Sequence, residues 1–108
     1  MEPMAATPVD VLKEFQNKIE VLPVIFAHAV YQHERNTFVF TTFFDEVESD
    51  AEDKLARIET YMVDSFTEYT LDFRTIHLFG RGVSDFIPDG AIPLVRAQQS
   101  APQRASVA

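Results

Sequence analysis

Two neighbouring apolar segments, residues 24–33 and 37–44, constrain the fold of this chain more than any other feature. Both are rich in Val, Ile, Phe, Tyr and Thr, the residue types that favour β-strands. Only residues 34–36 separate the two segments, and such a short polar connection predicts an antiparallel hairpin. We therefore expect the fold to be built around two adjacent strands.

The register of this hairpin decides which side chains share a face, because side chains alternate along a strand. A two-residue loop would place Tyr31 opposite Phe38 and Ala29 opposite Phe40. One face then carries Ile25, Ala27, Ala29, Tyr31, Phe38, Phe40, Thr42 and Phe44. The other face, called the second face below, carries Val24, Phe26, His28, Val30, Val39, Thr41 and Phe43. Both faces are apolar, which is unusual for a sheet that meets water on one side.

Two helices are predicted beside the hairpin. The first begins at the capping residue Thr7, continues through Pro8 and ends before Pro23. Its apolar stripe consists of Val9, Leu12, Phe15 and Ile19. The second helix begins at residues 49–52, whose sequence Ser-Asp-Ala-Glu matches a capping box. Its stripe consists of Ala51, Leu55, Ile58, Met62 and Phe66.

A third strand is predicted over residues 69–79, where apolar and polar residues alternate as far as Arg74. The alternation shifts at Ile76 and Leu78, so either a bulge lies near residues 74–75 or both faces of the strand are buried. Because a helix lies between the second and third strands, we expect them to run parallel.

The remaining part of the body is rich in turns. All three glycines fall in the stretch 80–90, together with Pro88. Residues 92–95 can add a short fourth strand, at an edge of the sheet where Pro93 is tolerated. The sequence thus predicts an α+β fold of order αββαβ, in which two helices pack on a three-stranded mixed sheet, with the fourth edge strand as an addition.

Length and composition predict one globular domain over residues 7–96. The chain has 108 residues, of which 46% are hydrophobic and 24% charged. Residues 1–6 show no periodicity and are expected to be a flexible lead, and residues 97–108 are expected to be a disordered tail. With no cysteine and no apolar run long enough to span a bilayer, we expect a cytoplasmic protein without disulfides.

The net charge of the chain limits the classes of partner that we expect it to bind. Seventeen acidic residues against nine Lys and Arg give a net charge of −8, which argues against binding of nucleic acid or of an anionic membrane surface. No glycine precedes Gly80, so a phosphate-binding glycine loop is excluded from residues 1–79 and no cofactor is expected.

The second apolar face predicts an interface. With both helices on the first face, Phe26, Val30, Val39 and Phe43 would meet water, and with the helices on the second face the Phe-rich first face would do so instead. Burial of each such side chain is worth roughly 1.5–3 kcal/mol. The face can pair with a second copy, bind another protein, or be covered by residues 80–96 folding back. Of these arrangements we expect self-association as a homodimer.

The three histidines are interpreted separately. His28 and His33 are five residues apart on one strand, so they lie on opposite faces and no shared metal site is expected. His33 is expected in solvent, and His28 in the core with a backbone partner. His77, on the third strand, can act as an acid or base, but no nucleophile pattern surrounds it, so its catalytic role is only an alternative.

Charged clusters are the other candidate sites. Six carboxylates fall within the nine residues 45–53, without the glycine of a calcium loop, and we interpret them as the solvated start of a helix. Arg74 and Arg81, together with His77, can line an anion-binding site. The simpler interpretation is that Arg74 pairs with Asp72 or Glu68 on the surface.

These observations favour a small acidic interaction or regulatory module that acts as a homodimer and is not an enzyme. One alternative is a small enzyme or an anion- or metabolite-binding protein that uses His77, Arg74 and Arg81 in a cleft near the glycines. Another is an antitoxin-like protein that neutralises a basic protein partner through residues 45–53.

Overall fold

The computed structural model describes residues 6–96 and contains one four-stranded mixed sheet with two helices. Its main elements are α1 (Pro8–Ile19), β1 (Phe26–Gln32), β2 (Thr37–Phe44), α2 (Ser49–Ser65), β3 (Thr70–His77) and β4 (Ile92–Arg96). The strand order is β3-β2-β1-β4, with β2 parallel to β3 and the other pairs antiparallel. The predicted α+β class and element order are confirmed, with the fourth strand at an edge.

Parts of the sequence-based prediction fall outside this description. The flexible lead predicted for residues 1–6 lies outside the described residues except for Ala6, and so does the whole tail predicted for residues 97–108. Within residues 6–96, neither helix combines the length and the apolar character that crossing a bilayer requires.

The hairpin of β1 and β2 has the predicted register with a longer loop. Tyr31 pairs with Phe38 and Ala29 with Phe40, but the loop is a 3-10 turn over His33–Arg35 followed by Asn36. Asn36 has a φ of 52°, a left-handed conformation that asparagine tolerates better than most residues. The alternation of faces is therefore kept although the loop was predicted to be shorter.

Both helices pack on one face of the sheet, where the main core lies. The core is formed by Val11, Phe15, Ile19, Leu22, Val24, Ala27, Ala29, Phe38, Phe40, Phe44, Ala51, Leu55, Met62 and Leu94. Val24 was predicted on the second face, and this is wrong because regular alternation begins only with β1 at Phe26. The first face, which includes Ala27 and Phe40, is the buried helix side of the sheet.

The start of α1 and its end before Pro23 are as predicted, and of its predicted stripe only Val9 is wrong. Thr7 accepts a hydrogen bond from the Asp10 amide, and the Asp10 carboxylate accepts one from the Thr7 amide. The helix ends at Ile19, ahead of Pro23. Val9 is 55% exposed because it lies about 200° around the helix axis from the buried Val11.

The apolar stripe of α2 is confirmed, and its predicted capping box is not. Ser49 is the first helical residue, so the cap position belongs to Glu48, whose side chain makes no capping hydrogen bond. The Glu52 carboxylate instead accepts a hydrogen bond from the Glu48 amide at 2.8 Å. Of the predicted stripe, Ala51, Leu55 and Met62 are buried and Ile58 and Phe66 are half-buried.

Strand β3 has no bulge at the position where the alternation of apolar and polar residues shifts. It pairs with β2 in continuous register from Thr70 to His77. Leu71 and Phe73 pack against the helix-side core, whereas Ile76 lies on the second face. Both faces of β3 therefore carry apolar residues, which was the second of the two alternatives.

The second face is partly covered by residues 83–88, called the covering segment below. Within it Val83–Phe86 forms a 3-10 turn, and the Phe86 ring lies 6.1 Å from the Phe43 ring. Phe43 is fully buried as a result, whereas Val30 and Val39 are only half-buried. Folding back of the chain thus covers one half of the face and leaves the other half accessible.

Candidate functional site: a groove on the second face

A groove lies on the second face between the covering segment and the accessible half of the strands. Its volume is about 500 Å³, within the range of roughly 300–1,000 Å³ found for small-molecule sites. The sheet contributes the apolar side chains of Val30, Val39 and Ile76, and residues 85–88 contribute the opposite wall. The strands also bring polar groups into this lining, namely His28, Thr41, Gln32 and Arg74.

His28 is the most buried polar side chain of this lining, with 2% of its surface exposed. Its ring lies among aromatic rings, 5.4 Å from Phe43 and 5.9 Å from Phe26. Its Nε2 atom lies 3.4 Å from the backbone carbonyl oxygen of Phe86, so the predicted core histidine with a backbone partner is confirmed. A carbonyl oxygen only accepts hydrogen bonds, and Nε2 is therefore the nitrogen that carries the proton.

The environment keeps the His28 ring neutral. Burial lowers the pKa of His28 below its ordinary value, and the hydrogen bond to the Phe86 carbonyl opposes part of that shift. A neutral ring with its proton on Nε2 has a lone pair on Nδ1. This Nδ1 atom is buried and has no hydrogen-bond partner among the described residues.

A buried nitrogen without a hydrogen-bond partner lowers the stability of the folded protein. Buried polar atoms nearly always have a partner, and leaving one unsatisfied costs on the order of 1–3 kcal/mol. The sequence indicated that His28 belongs to the core, but it gave no sign of the orphaned atom. Nδ1 is left without a partner because the Phe86 carbonyl, which comes from a segment distant in sequence, lies against Nε2 instead.

The charged groups near the groove are one cation and two carboxylates. Arg74 donates a hydrogen bond to the Asp72 carboxylate at 3.1 Å, which confirms the simpler of its two predicted roles. Both side chains are exposed, so the pair contributes only about 0–1 kcal/mol. Asp85 lines the groove from the opposite wall. The one cation in the groove lining is thus offset by two carboxylates.

The structure does not bring the three predicted ligand-binding residues together. Arg74 lies on the second face, whereas His77 points to the helix side, where its Nε2 lies 2.9 Å from a Glu52 carboxylate oxygen. The guanidinium of Arg81 donates hydrogen bonds to the carbonyls of His77 and Leu78. Residues three apart on a strand have opposite directions, so Arg74 and His77 cannot share one cleft.

The Glu52–His77 pair is half-buried at the edge of the helix layer. The pKa of Glu52 is lowered, first by the hydrogen bond from the Glu48 amide and then by the hydrogen bond with His77. His77 is not part of the groove lining described above, and catalysis by His77 stays a prediction.

The acidic residues 45–53 are mostly exposed, as expected for the start of a helix. The Asp45 side chain accepts a hydrogen bond from the Gly80 amide at 2.8 Å, and its backbone carbonyl accepts one from the Phe79 amide. In the part of the chain that the structure describes, no three His, Asp or Glu side chains converge in a way that could hold a metal ion. Neutralisation of a basic partner by this cluster stays a prediction.

Comparison with known proteins adds no assignment. No protein-family model matches the chain, and no curated protein matches it in sequence. Functional inference therefore depends on the groove and on the residues around it.

Proposed function

We propose that this protein is a small, non-enzymatic binding module that acts through the second face of its sheet. The groove is the observation that supports this proposal. Val30, Val39 and Ile76 stay half-buried beside the covering segment, whereas Phe43 and His28 on the same face are buried. Apolar strand surface that a chain leaves in contact with water is typical of surfaces that bind partners.

Self-association is the first form of this proposal. In a two-fold dimer the same apolar strip meets its own copy, and Arg74 of one copy can approach the acidic groups of the other. The covering segment removes Phe43 from the available surface. A stable interface uses about 800 Å² from each partner, so half a sheet face supports a dimer that depends on concentration.

Sedimentation velocity of the full chain over a range of concentrations tests this form. The wild type is expected to show a rising average mass, and Val39→Glu is expected to stay monomeric because it buries a charge in the interface. Val21→Glu is the matched control, since Val21 is 83% exposed and lies after α1, outside the groove lining. A wild type that stays monomeric at every concentration would refute self-association.

The location and the class of partner are part of the proposal. The absence of cysteine supports a reducing, cytoplasmic setting, and the net charge of −8 supports a partner other than nucleic acid. A second candidate function, binding of a small molecule, is favoured by the concave shape of the groove and by the mixture of apolar and polar side chains that line it.

A further inference from the structure

The outer edge of β3 differs from the outer edge of β4. The strand order places these two strands at the margins of the sheet. β4 contains Pro93, which has no N–H group, and the Gln16 side chain donates a hydrogen bond to the Leu94 carbonyl at 2.7 Å. Features of this kind hinder the pairing of another strand with an edge. β3 has eight residues in continuous register with β2, with neither a proline nor a bulge.

Alternate residues of β3 direct their backbone groups away from β2. The Thr70 amide donates a hydrogen bond to the Asn36 carbonyl at 3.0 Å. Because the register is continuous, the other even-numbered residues of β3 also bond to β2. The N–H and C=O groups of Leu71, Phe73 and Thr75 therefore point outward, and no described residue bonds to them. These groups are in position to pair with one further strand.

The side chains of β3 define what a further strand must offer. In antiparallel pairing, the more stable of the two arrangements, side chains that lie directly opposite each other interact. Leu71 and Phe73 are half-buried against the helix-side core, so they favour apolar residues opposite them. Asp72 and Arg74 lie on the other face, and 47% and 62% of their side chains are exposed. Their mutual ion pair is weak at this exposure, so each can pair with a new partner of opposite charge.

The order of these two charges defines the sequence of the bound segment. An antiparallel segment meets Arg74 before Asp72, so it carries an acidic residue and, two positions later, a basic residue. A second copy of β3 has the same order, but it belongs to a chain with a net charge of −8 and is repelled by the equal charge of the first copy. A segment of another protein that lacks this negative charge is not repelled, so the charges favour it over a second copy.

We propose that the outer edge of β3 binds an extended segment of another protein as an additional antiparallel strand, with an acidic residue opposite Arg74 and a basic residue opposite Asp72. Main-chain hydrogen bonds to Leu71, Phe73 and Thr75 hold the segment, and the two charged residues select its sequence. The bound segment lies beside the sheet and not in the groove, so this proposal goes beyond the function proposed above and does not depend on it.

The test compares two capped peptides of the same composition, Thr-Val-Glu-Val-Lys-Val-Thr and Thr-Val-Lys-Val-Glu-Val-Thr. With the central valine opposite Phe73, the first peptide places opposite charges beside Asp72 and Arg74, whereas the second places like charges there. Each is titrated at low ionic strength into the full chain, labelled with ¹⁵N and ¹³C, at concentrations where sedimentation shows a monomer. The first peptide is expected to bind about tenfold more tightly and to slow amide exchange at Leu71, Phe73 and Thr75.

Methylation of single peptide amides separates backbone pairing from other contacts. The amide of the central valine is expected to donate a hydrogen bond to the Phe73 carbonyl, so a methyl group on this nitrogen should weaken binding of the first peptide by about tenfold. A methyl group on the lysine amide is the matched control. That amide points away from β3, so this peptide should keep its affinity.

An exchange of charges on the protein tests the register. Asp72→Arg combined with Arg74→Asp keeps the net charge and should bind the second peptide about tenfold more tightly than the first. The matched control is Glu34→Arg combined with Arg35→Glu, because these residues are exposed in the hairpin loop and lie outside β3. This control is expected to keep the wild-type preference.

Four results with the wild type would overturn the proposal, so the outcome does not depend on the folding of a variant. They are no binding of either peptide at about 1 mM, equal affinity for both, preference for the second peptide, and slow exchange of the three outward amides in the free monomer. Preference for the second peptide would indicate parallel pairing. Slow exchange in the free monomer would show that the chain covers this edge itself.

Two other outcomes would assign the edge or the peptide differently and would also overturn the proposal. Protection of the outward amides that rises with protein concentration would assign the edge to a second copy. Resonance changes confined to Val30 and Val39 would place the peptide in the groove, which refutes edge binding and leaves the function proposed above. Edge binding by a chain that stays monomeric at every concentration would support this proposal and refute only self-association.

Discussion

Replacement of Phe86 by alanine removes the ring that covers one half of the second face. Phe86 lies 6.1 Å from Phe43 and 5.2 Å from the Arg81 guanidinium, and it is half-buried. A fully buried phenylalanine loses about 3–5 kcal/mol on change to alanine, so half of that burial is worth about 1.5–2.5 kcal/mol. With a contribution from the aromatic pair, the free energy of unfolding of Phe86→Ala should fall by about 2–3 kcal/mol.

Urea unfolding followed by circular dichroism measures this loss. Phe79→Ala is the control, because Phe79 is 63% exposed and its ring contributes little burial, so a loss under about 1 kcal/mol is expected. Equal losses for the two variants would contradict the assignment of Phe86 as a cover for Phe43. A loss at Phe86 below about 0.5 kcal/mol would refute it as well.

Two further predictions concern the hairpin loop and the buried histidine. Asn36 has a φ of 52° and donates a side-chain hydrogen bond to the Glu68 carbonyl. Both Asn36→Ala and Asn36→Gly lose this hydrogen bond, but only glycine relieves the strained backbone, so Asn36→Ala should lower the free energy of unfolding by about 1 kcal/mol more than Asn36→Gly. Equal losses for the two variants in urea melts would argue against backbone strain. For His28, the folded pKa is lower than the unfolded one, so the unfolded state binds more protons and stability should be lost as the pH falls below about 6.5. Urea midpoints of the wild type and His28→Gln at about pH 7.5 and pH 5.5 check this, and an equal acid loss in both proteins would rule out His28 as its source.

Local alternation predicted the centre of the fold well. A slip of one residue in β2 would move Phe38 and Phe40 from the core to the other face, so burial fixes the register strongly. The same pattern could not predict where Phe86 lies, because its position against Phe43 depends on a contact 43 residues distant in sequence, 86 minus 43. The turn-rich composition of residues 80–90 indicates only that the chain bends there.

Only part of the candidate site could be predicted from the sequence, because local spacing determines some of its contacts and distant segments determine the others. The pairing of Arg74 with Asp72 follows from their spacing of two residues, which puts both side chains on one face of β3. The same rule applied to Arg74 and His77 would have excluded a shared cleft. The orphaned Nδ1 atom of His28 was beyond the reach of any local pattern, because the partner of Nε2 comes from the covering segment.

The strand order also has a mechanical consequence. β3 and β4 occupy opposite edges of the sheet, three strand spacings or about 14 Å apart, and the chain between them crosses the face that the helices leave free. One wall of the groove is therefore formed by a segment whose two ends are attached to opposite edges of the sheet, one at β3 and the other at β4. Widening the groove moves this segment away from the sheet, so admission of a larger ligand is coupled to loss of the contact between the Phe86 and Phe43 rings.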